Sequence, residues 1–337
     1  MRDHVTENHM SLFHQHPRRN FLRKSFFFLG SLASVASKPL RAHEHEHAGG
    51  LSGHFHSPQS AKLPVSESHA NRKLGSSPPF KVFDAHLHCP SDESTGETWQ
   101  WYPIYKTFKD FAAYLEKTGV QRGIINAQRC NDARSPADFI AGNREVARYV
   151  EKYEGRFVGA CVVNPLFIDE ALKEIEYCKK ELGFNWVGEL CNYGGATEYK
   201  YTTDEFELLV AQTSKLNMVL DVHTQLEEMH YIIQKFPKAT IVFPHFGGDR
   251  EMFRRIALIA SHPNTYIDTS GLGIDHVGML EHAVKTIGED RVLFGSDFSI
   301  NCPSSVLGRI QNAFLTDEQK QKILSSNLEA LLKKVGP

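Results

Sequence analysis

A chain of 337 residues with 38 Lys plus Arg and 40 Asp plus Glu carries a formal net charge of −2. That near-balance excludes the basic footprint of a nucleic-acid binder and the polybasic patch of a peripheral membrane protein. A hydrophobic fraction of 41% is enough for a core, either in two small domains or in one α/β barrel of about 250 residues. The six cysteines form no C-x-x-C pair, which removes zinc ribbons and thioredoxin-type motifs. Cys89, Cys130, Cys191 and Cys302 each follow a predicted strand and read as small buried hydrophobes rather than bridges.

The first 36 residues read as an export signal. Arg18-Arg19 is followed by Phe21-Leu22 and by the apolar run Phe26 to Ala36, which is too short to span a bilayer as a mature helix. Small residues at Ser34 and Ala36 place a processing site after Ala36, and the whole is similar to a twin-arginine signal. The expected location is therefore periplasmic or secreted, with no stable membrane association after cleavage. Residues 37–80 hold His43-Glu44-His45-Glu46-His47, His54 and His56, with too few large apolar residues to pack. They are expected to be a disordered spacer, with loose metal scavenging as the other reading.

From residue 81 to 337 short apolar runs alternate with helical stretches, the pattern of repeated β-α units. The expected strands are Val82–Ala85, Arg122–Asn126, Phe157–Val163, Asn185–Glu189, Met218–Val222, Thr240–Phe243, Thr265–Asp268 and Arg291–Gly295. Helices are expected at Phe108–Lys117, Pro136–Tyr153, Asp169–Leu182, Thr203–Lys215, Glu227–Phe236, Arg250–Ala260, His276–Ile287 and Thr316–Lys334. Ser135-Pro136, Thr203-Asp204 and Thr316-Asp317 supply capping groups. The fold class that follows is an α/β (β/α)8 TIM barrel, whose active site lies at the C-terminal ends of the strands.

Polar residues gather at those ends. His86 and His88 alternate on strand one, so their side chains share a face about 7 Å apart and can share a metal ion. Glu189 ends strand four, while His223, His245 and Asp297 follow strands five, six and eight. Polar groups at that density near a buried rim need partners.

These motifs resemble the metal-dependent amidohydrolase superfamily, specifically its amidohydrolase-related group that includes decarboxylases and lactonases. The match rests on Asp84-Ala85-His86-Leu87-His88, Val222-His223-Thr224, Pro244-His245-Phe246-Gly247-Gly248, Phe294-Gly295-Ser296-Asp297-Phe298 and the closing Ile323-Leu324-Ser325-Ser326-Asn327. The resemblance implies one divalent ion, zinc by preference, held by His86, His88, His223 and Asp297. Asp297 is then also the base and His245 the group that polarises a carbonyl or donates a proton. Glu189 is open to three roles: a fifth ligand, a bridge between two ions, or a hydrogen-bond partner of a histidine. No Lys follows strand four closely, which sets aside a carboxylated-lysine bridge.

The implied activity is hydrolysis of an amide, cyclic amide or lactone. Non-oxidative decarboxylation of an aromatic or unsaturated acid is the alternative enzyme, and a non-catalytic periplasmic metal-binding protein the alternative outside enzymes. A small molecule is the expected substrate, without an organic cofactor, and a homodimer is the default assembly. Trp99, Trp101, Tyr102 and Tyr105 in the first βα loop could cover it, and Arg129, Arg134 or Arg250 could clamp a carboxylate.

Overall fold

Strands and helices alternate along the computed structural model, which describes residues 80–91, 107–192, 198–248 and 251–336. The strands are β1 (Phe83–His88), β2 (Arg122–Asn126), β3 (Phe157–Gly159), β4 (Trp186–Leu190), β5 (Val219–Val222), β6 (Ile241–Phe243), β7 (Thr265–Asp268) and β8 (Val292–Leu293). The helices are α1 (Phe108–Thr118), α2 (Pro136–Lys152), α3 (Ile168–Lys180), α4 (Asp204–Lys215), α5 (Leu226–Lys235), α6 (Glu251–Ala260), α7 (Met279–Ile287), α8 (Pro303–Gln311), α9 (Asp317–Gln321) and α10 (Asn327–Val335). The expected signal, nearly all of the spacer, the aromatic loop after β1 and Arg250 lie outside the described residues. Among the described residues no helix is long and apolar enough to cross a membrane.

Local chemistry explains the helices. In α1, Phe108, Phe111, Ala112 and Leu115 repeat at helical spacing and are buried, Thr107 caps the start by accepting from the Asp110 N–H, and Gly119 closes the end in a left-handed conformation. At the start of α2 the Asp138 carboxylate accepts from the Ser135 N–H at 2.9 Å, and Pro136 takes a first-turn position.

All strand pairs are parallel, but the ladder is divided. β1-β2-β3 form one sheet and β4 to β8, in sequence order, another. The single closed ladder expected from the sequence is thus interrupted at two seams, each crossed by an isolated bridge: Cys161 with Val187, and Leu87 with Phe298. At the first seam β3 ends at Gly159 rather than Val163 because the Asn143 side chain of α2 takes both backbone groups of Val162, at 3.0 and 3.1 Å. At the second, β8 ends at Leu293 because its next amides go elsewhere, Phe294 N–H to Ile323 O at 2.8 Å and Gly295 N–H to Thr269 Oγ1 at 3.1 Å.

The Ile323 carbonyl is reachable because the last expected helix is not continuous. A π-helical turn, Lys322–Ser326, separates α9 from α10, and such turns leave carbonyls off the regular ladder. Asn327, just after it, donates to Glu289 O and Val292 O at 2.6 and 2.8 Å and fastens α10 under β8.

The core has two parts. One lies between helices and strands. The other takes Phe83, Ala85, Ile124, Ala160, Trp186, Val219, Val242, Tyr266 and Leu293 from or just after each of the strands and closes on Leu328, Leu331 and Val335 of α10. These residues precede the polar strand ends, so α10 seals the N-terminal side and the candidate site opens at the other.

Candidate metal centre

Four of the six candidate residues, His86, Glu189, His245 and Asp297, stand where the backbone leaves regular geometry. The β1-β2 register shifts between Asp84 and Leu87, around His86, and the β4-β5 register shifts between Val187 and Leu190, around Glu189. Such irregularities re-aim side chains at strand ends. His245 and Asp297 adopt φ of 65° and 58°, left-handed conformations that a non-glycine residue keeps only when its surroundings impose it.

His86 and His88 meet tip to tip, their Nε2 atoms 3.1 Å apart. His86 Nδ1 donates to Asp268 Oδ2 at 2.9 Å, and His88 Nδ1 donates to Asn126 Oδ1 at 3.1 Å. With each proton committed outward, two ring lone pairs face one another, an arrangement that repels unless a cation lies between them. Glu189 Oε2 stands 3.4 and 3.5 Å from the same two nitrogens. Asp297 Oδ1 is 2.9 Å from His88 Nε2 and 3.7 Å from His86 Nε2. Donors around a tetrahedral zinc at its usual bond lengths are separated by about 3.3 Å, so this set fits a small divalent ion.

A second cluster shares Glu189. Its Oε1 lies 2.9 Å from His223 Nδ1 and 3.7 Å from His245 Nε2, and one ligand atom from each of the three lies within 4.8 Å of the others. His245 is oriented from behind. Ser270 Oγ donates to Asp268 Oδ1, so its contact with His245 Nδ1 at 2.8 Å has the imidazole as donor, leaving Nε2 bare. The expected ligands therefore divide: His86, His88 and Glu189 form one group with Asp297 beside it, while His223 groups with Glu189 and with His245, which was expected to act on the substrate rather than as a ligand.

Charge follows the geometry. Burial alone pushes the His86 imidazole down, but the Glu189 and Asp268 carboxylates flanking it hold it well above its ordinary value. Burial pushes Glu189 up, and the His86 and His223 rings reverse this, holding it well below the usual carboxylate range. His245 is lowered by burial and then by the neighbouring His223. A cluster of anionic oxygens and inward lone pairs binds either protons or a metal, and metal binding displaces the protons.

Beside the clusters lies a cavity of about 780 Å³ walled by Glu189, His223, His245 and Asp297 on one side and by Leu272, Ile274, Ile300 and Val306 on another. Asp297 Oδ2 accepts from Asn301 Nδ2 at 3.0 Å, which fixes the carboxylate on that wall. Of the expected clamps, Arg129 pairs with Glu145 at 2.9 Å and Arg134 is exposed, and neither is among the cavity residues. The cysteines are free, and all but the exposed Cys302 are buried as expected.

Sequence reasoning missed Asp268, Ser270 and Asn126. Asp268 and Asn126 end predicted strands as Glu189 does, and that shared position was the available signal. Gly295 is also required here, since a Cβ on it would come within 2.9 Å of Asp268 Oδ2 and 3.0 Å of His86 Cβ.

Comparison with known proteins agrees with this arrangement. The model of the amidohydrolase family matches residues 83–334. No curated protein matches the chain in sequence. Among solved structures, dihydroxybenzoic acid decarboxylase from Polaromonas sp. JS666, which holds manganese and the inhibitor 2-nitroresorcinol, has a TM-score of 0.60 at 18% identity, over 75% of this chain and 97% of that one. 5-Carboxyvanillate decarboxylase from Sphingomonas paucimobilis has a TM-score of 0.61 at 13% identity, over 75% and 99%. An uncharacterised TIM-barrel protein from Bordetella bronchiseptica has a TM-score of 0.62 at 17% identity, over 77% and 100%. At these identities the likeness concerns the fold.

Proposed function

The chain belongs to the amidohydrolase family, and from that premise we propose that it is a metal-dependent hydrolase that adds water to a carbonyl carbon and breaks its C–N or C–O bond. The observation carrying this reading is Asp297, a carboxylate on the cavity wall 2.9 Å from His88 Nε2 with its second oxygen held by Asn301. Hydrolysis needs a base at that spot to take a proton from water, whereas loss of carbon dioxide consumes no water.

His86, His88, Glu189 and Asp297 would hold one divalent ion, zinc or manganese, and Glu189, His223 and His245 have the donors for a second. When bound, such an ion would supply Lewis acidity and would bring the pKa of water toward neutrality. Asp297 accepts the proton at Oδ1 and returns it to the departing nitrogen or oxygen. His245 presents its bare Nε2 to the cavity, and the aliphatic wall of Leu272, Ile300 and Val306 receives the body of the substrate.

In this reading the two sheets, with their isolated bridges, act as one eight-stranded cylinder. The chain is exported through its twin-arginine-type leader and works in the periplasm or outside the cell.

A second reading is non-oxidative decarboxylation, favoured by the decarboxylases among the structural neighbours, one of them with bound manganese. One paired assay separates the two. Lactones are followed by base consumption at a pH-stat, cyclic amides by appearance of the free amine, and dihydroxybenzoates by carbon dioxide release. Base consumption or amine appearance that is lost in Asp297→Asn is the expected result. Carbon dioxide release without turnover of any lactone or amide replaces the hydrolase reading with the second.

A further inference from the structure

We propose that Arg255 of α6 is a positioning residue for the second donor cluster, its guanidinium tying together the two loops that carry His223 and His245. This rests on the reading that Glu189, His223 and His245 bind a divalent ion. Arg255 Nη1 donates to Thr224 O at 2.7 Å, in the residue after His223. Nη2 donates to Pro244 O at 2.9 Å, in the residue before His245. A guanidinium is a rigid planar fork. With one prong on each loop, the loops cannot slide past one another without breaking a bond.

Arg255 is costly where it stands. It is 3% exposed, its Nε has no hydrogen-bond partner, and the Glu251 carboxylate stays 3.6 Å from Nη1. A buried cation whose carboxylate partner is loose and partly exposed, and whose close hydrogen bonds go to neutral carbonyls, is a poor source of stability beside an apolar side chain of equal volume, so its position calls for another explanation.

The backbone of His245 supplies that explanation. Its φ of 65° must be imposed from outside. Arg255 holds the carbonyl of the preceding residue, and Asp268 Oδ1 accepts the His245 N–H at 3.3 Å from the other side. The chain also clears a path for the arginine stem. At Gly247, with φ of 86°, a Cβ would stand 2.9 Å from Arg255 Cδ. Without the fork, His245 is free to return to an ordinary φ, which swings Nε2 away from Glu189.

The test uses the full-length protein loaded with Co²⁺, whose visible absorption reports each coordination site. His223→Ala defines the absorption component that belongs to the second cluster, and differences against wild type cancel any cobalt held by the His-rich tract. Arg255→Met is expected to lose that same component, with cobalt affinity there reduced about 10- to 100-fold, as is usual for partners that orient a ligand. The His86 and His88 component and far-UV ellipticity are expected to stay as in wild type. Arg255→Lys keeps the charge but cannot span both carbonyls, and should fail in the same way.

Wild-type affinity in both arginine variants, with the His223→Ala effect intact, overturns the positioning role alone. A His223→Ala protein with an unchanged spectrum overturns the second cluster and this proposal with it. If Arg255→Met does not fold, Arg255→Lys, which keeps the buried charge, decides. Selective loss of the His223 component supports the role and wild-type affinity overturns it.

Discussion

The deep and outer halves of the candidate metal centre share Glu189 but are built differently. The His86 and His88 side chains are 0% and 2% exposed, and each outer ring nitrogen is committed to a buried oxygen, on Asp268 or Asn126. The His223 and His245 side chains are 25% and 12% exposed and border the cavity. The deep half is organised before any ligand arrives, because protein atoms already orient both rings. In the outer half Ser270 orients the His245 ring, but the ring's place depends on strained backbone held from a distance, which suits a face that would exchange substrate in the proposed reaction.

The contrast can be broken most decisively in the deep half. A His86→Ala, His88→Ala double variant should lose its bound ion outright, and elemental analysis giving equal metal in variant and wild type would contradict the assignment. Asp297→Asn should lower kcat by about 10²- to 10⁴-fold, the usual worth of a positioned base, with metal retained at the remaining donors. Steady-state kinetics beside metal analysis will show whether the two losses separate. Asp268→Asn removes the acceptor behind His86 and should weaken metal binding by about 10- to 100-fold in a chelator competition.

Acid sharpens the same contrast. His86 is held well above its ordinary value, so in the metal-free fold its proton stabilises at low pH, and that contribution is lost as pH rises through the raised value. The ion must displace this proton, so chelator competition should show affinity falling as pH drops through the raised value. His86→Asn should flatten that dependence.

The smallest expected effect lies away from the centre. Glu281 accepts from Arg309 at 3.0 Å, and although burial pushes its carboxyl up, the arginine brings it below the usual range. Its contribution is present above about pH 4.5 and fades as pH falls through the lowered value. Glu281→Gln should cost less than about 1 kcal/mol in urea unfolding at neutral pH.

How much of this was readable in advance depended on whether a residue acts locally. β2 and β7 fall on their expected bounds because apolar runs between turn signals mark strands, and α1 and α4 match closely because caps and buried faces repeat at short range. The β3 and β8 ends were hidden, since the partners that shorten them, Asn143 and Ile323, are set by tertiary contact. α8 was missed, its start marked only by Pro303 after Cys302. His86 and His88 announced themselves by alternation. Arg255 did not, because a helical arginine looks like a solvated charge until Thr224 and Pro244 are seen beneath it.

Leu328, Leu331 and Val335 form an apolar stopper at the far end of the strands. With that route shut among the described residues, reactant and products of the proposed reaction would pass through the cavity side. A ring-opened product, or the last of two fragments from an open-chain amide, should then compete with incoming reactant for the same space. Product inhibition patterns carry the imprint of this stopper, although its residues lie beyond reach of the chemistry.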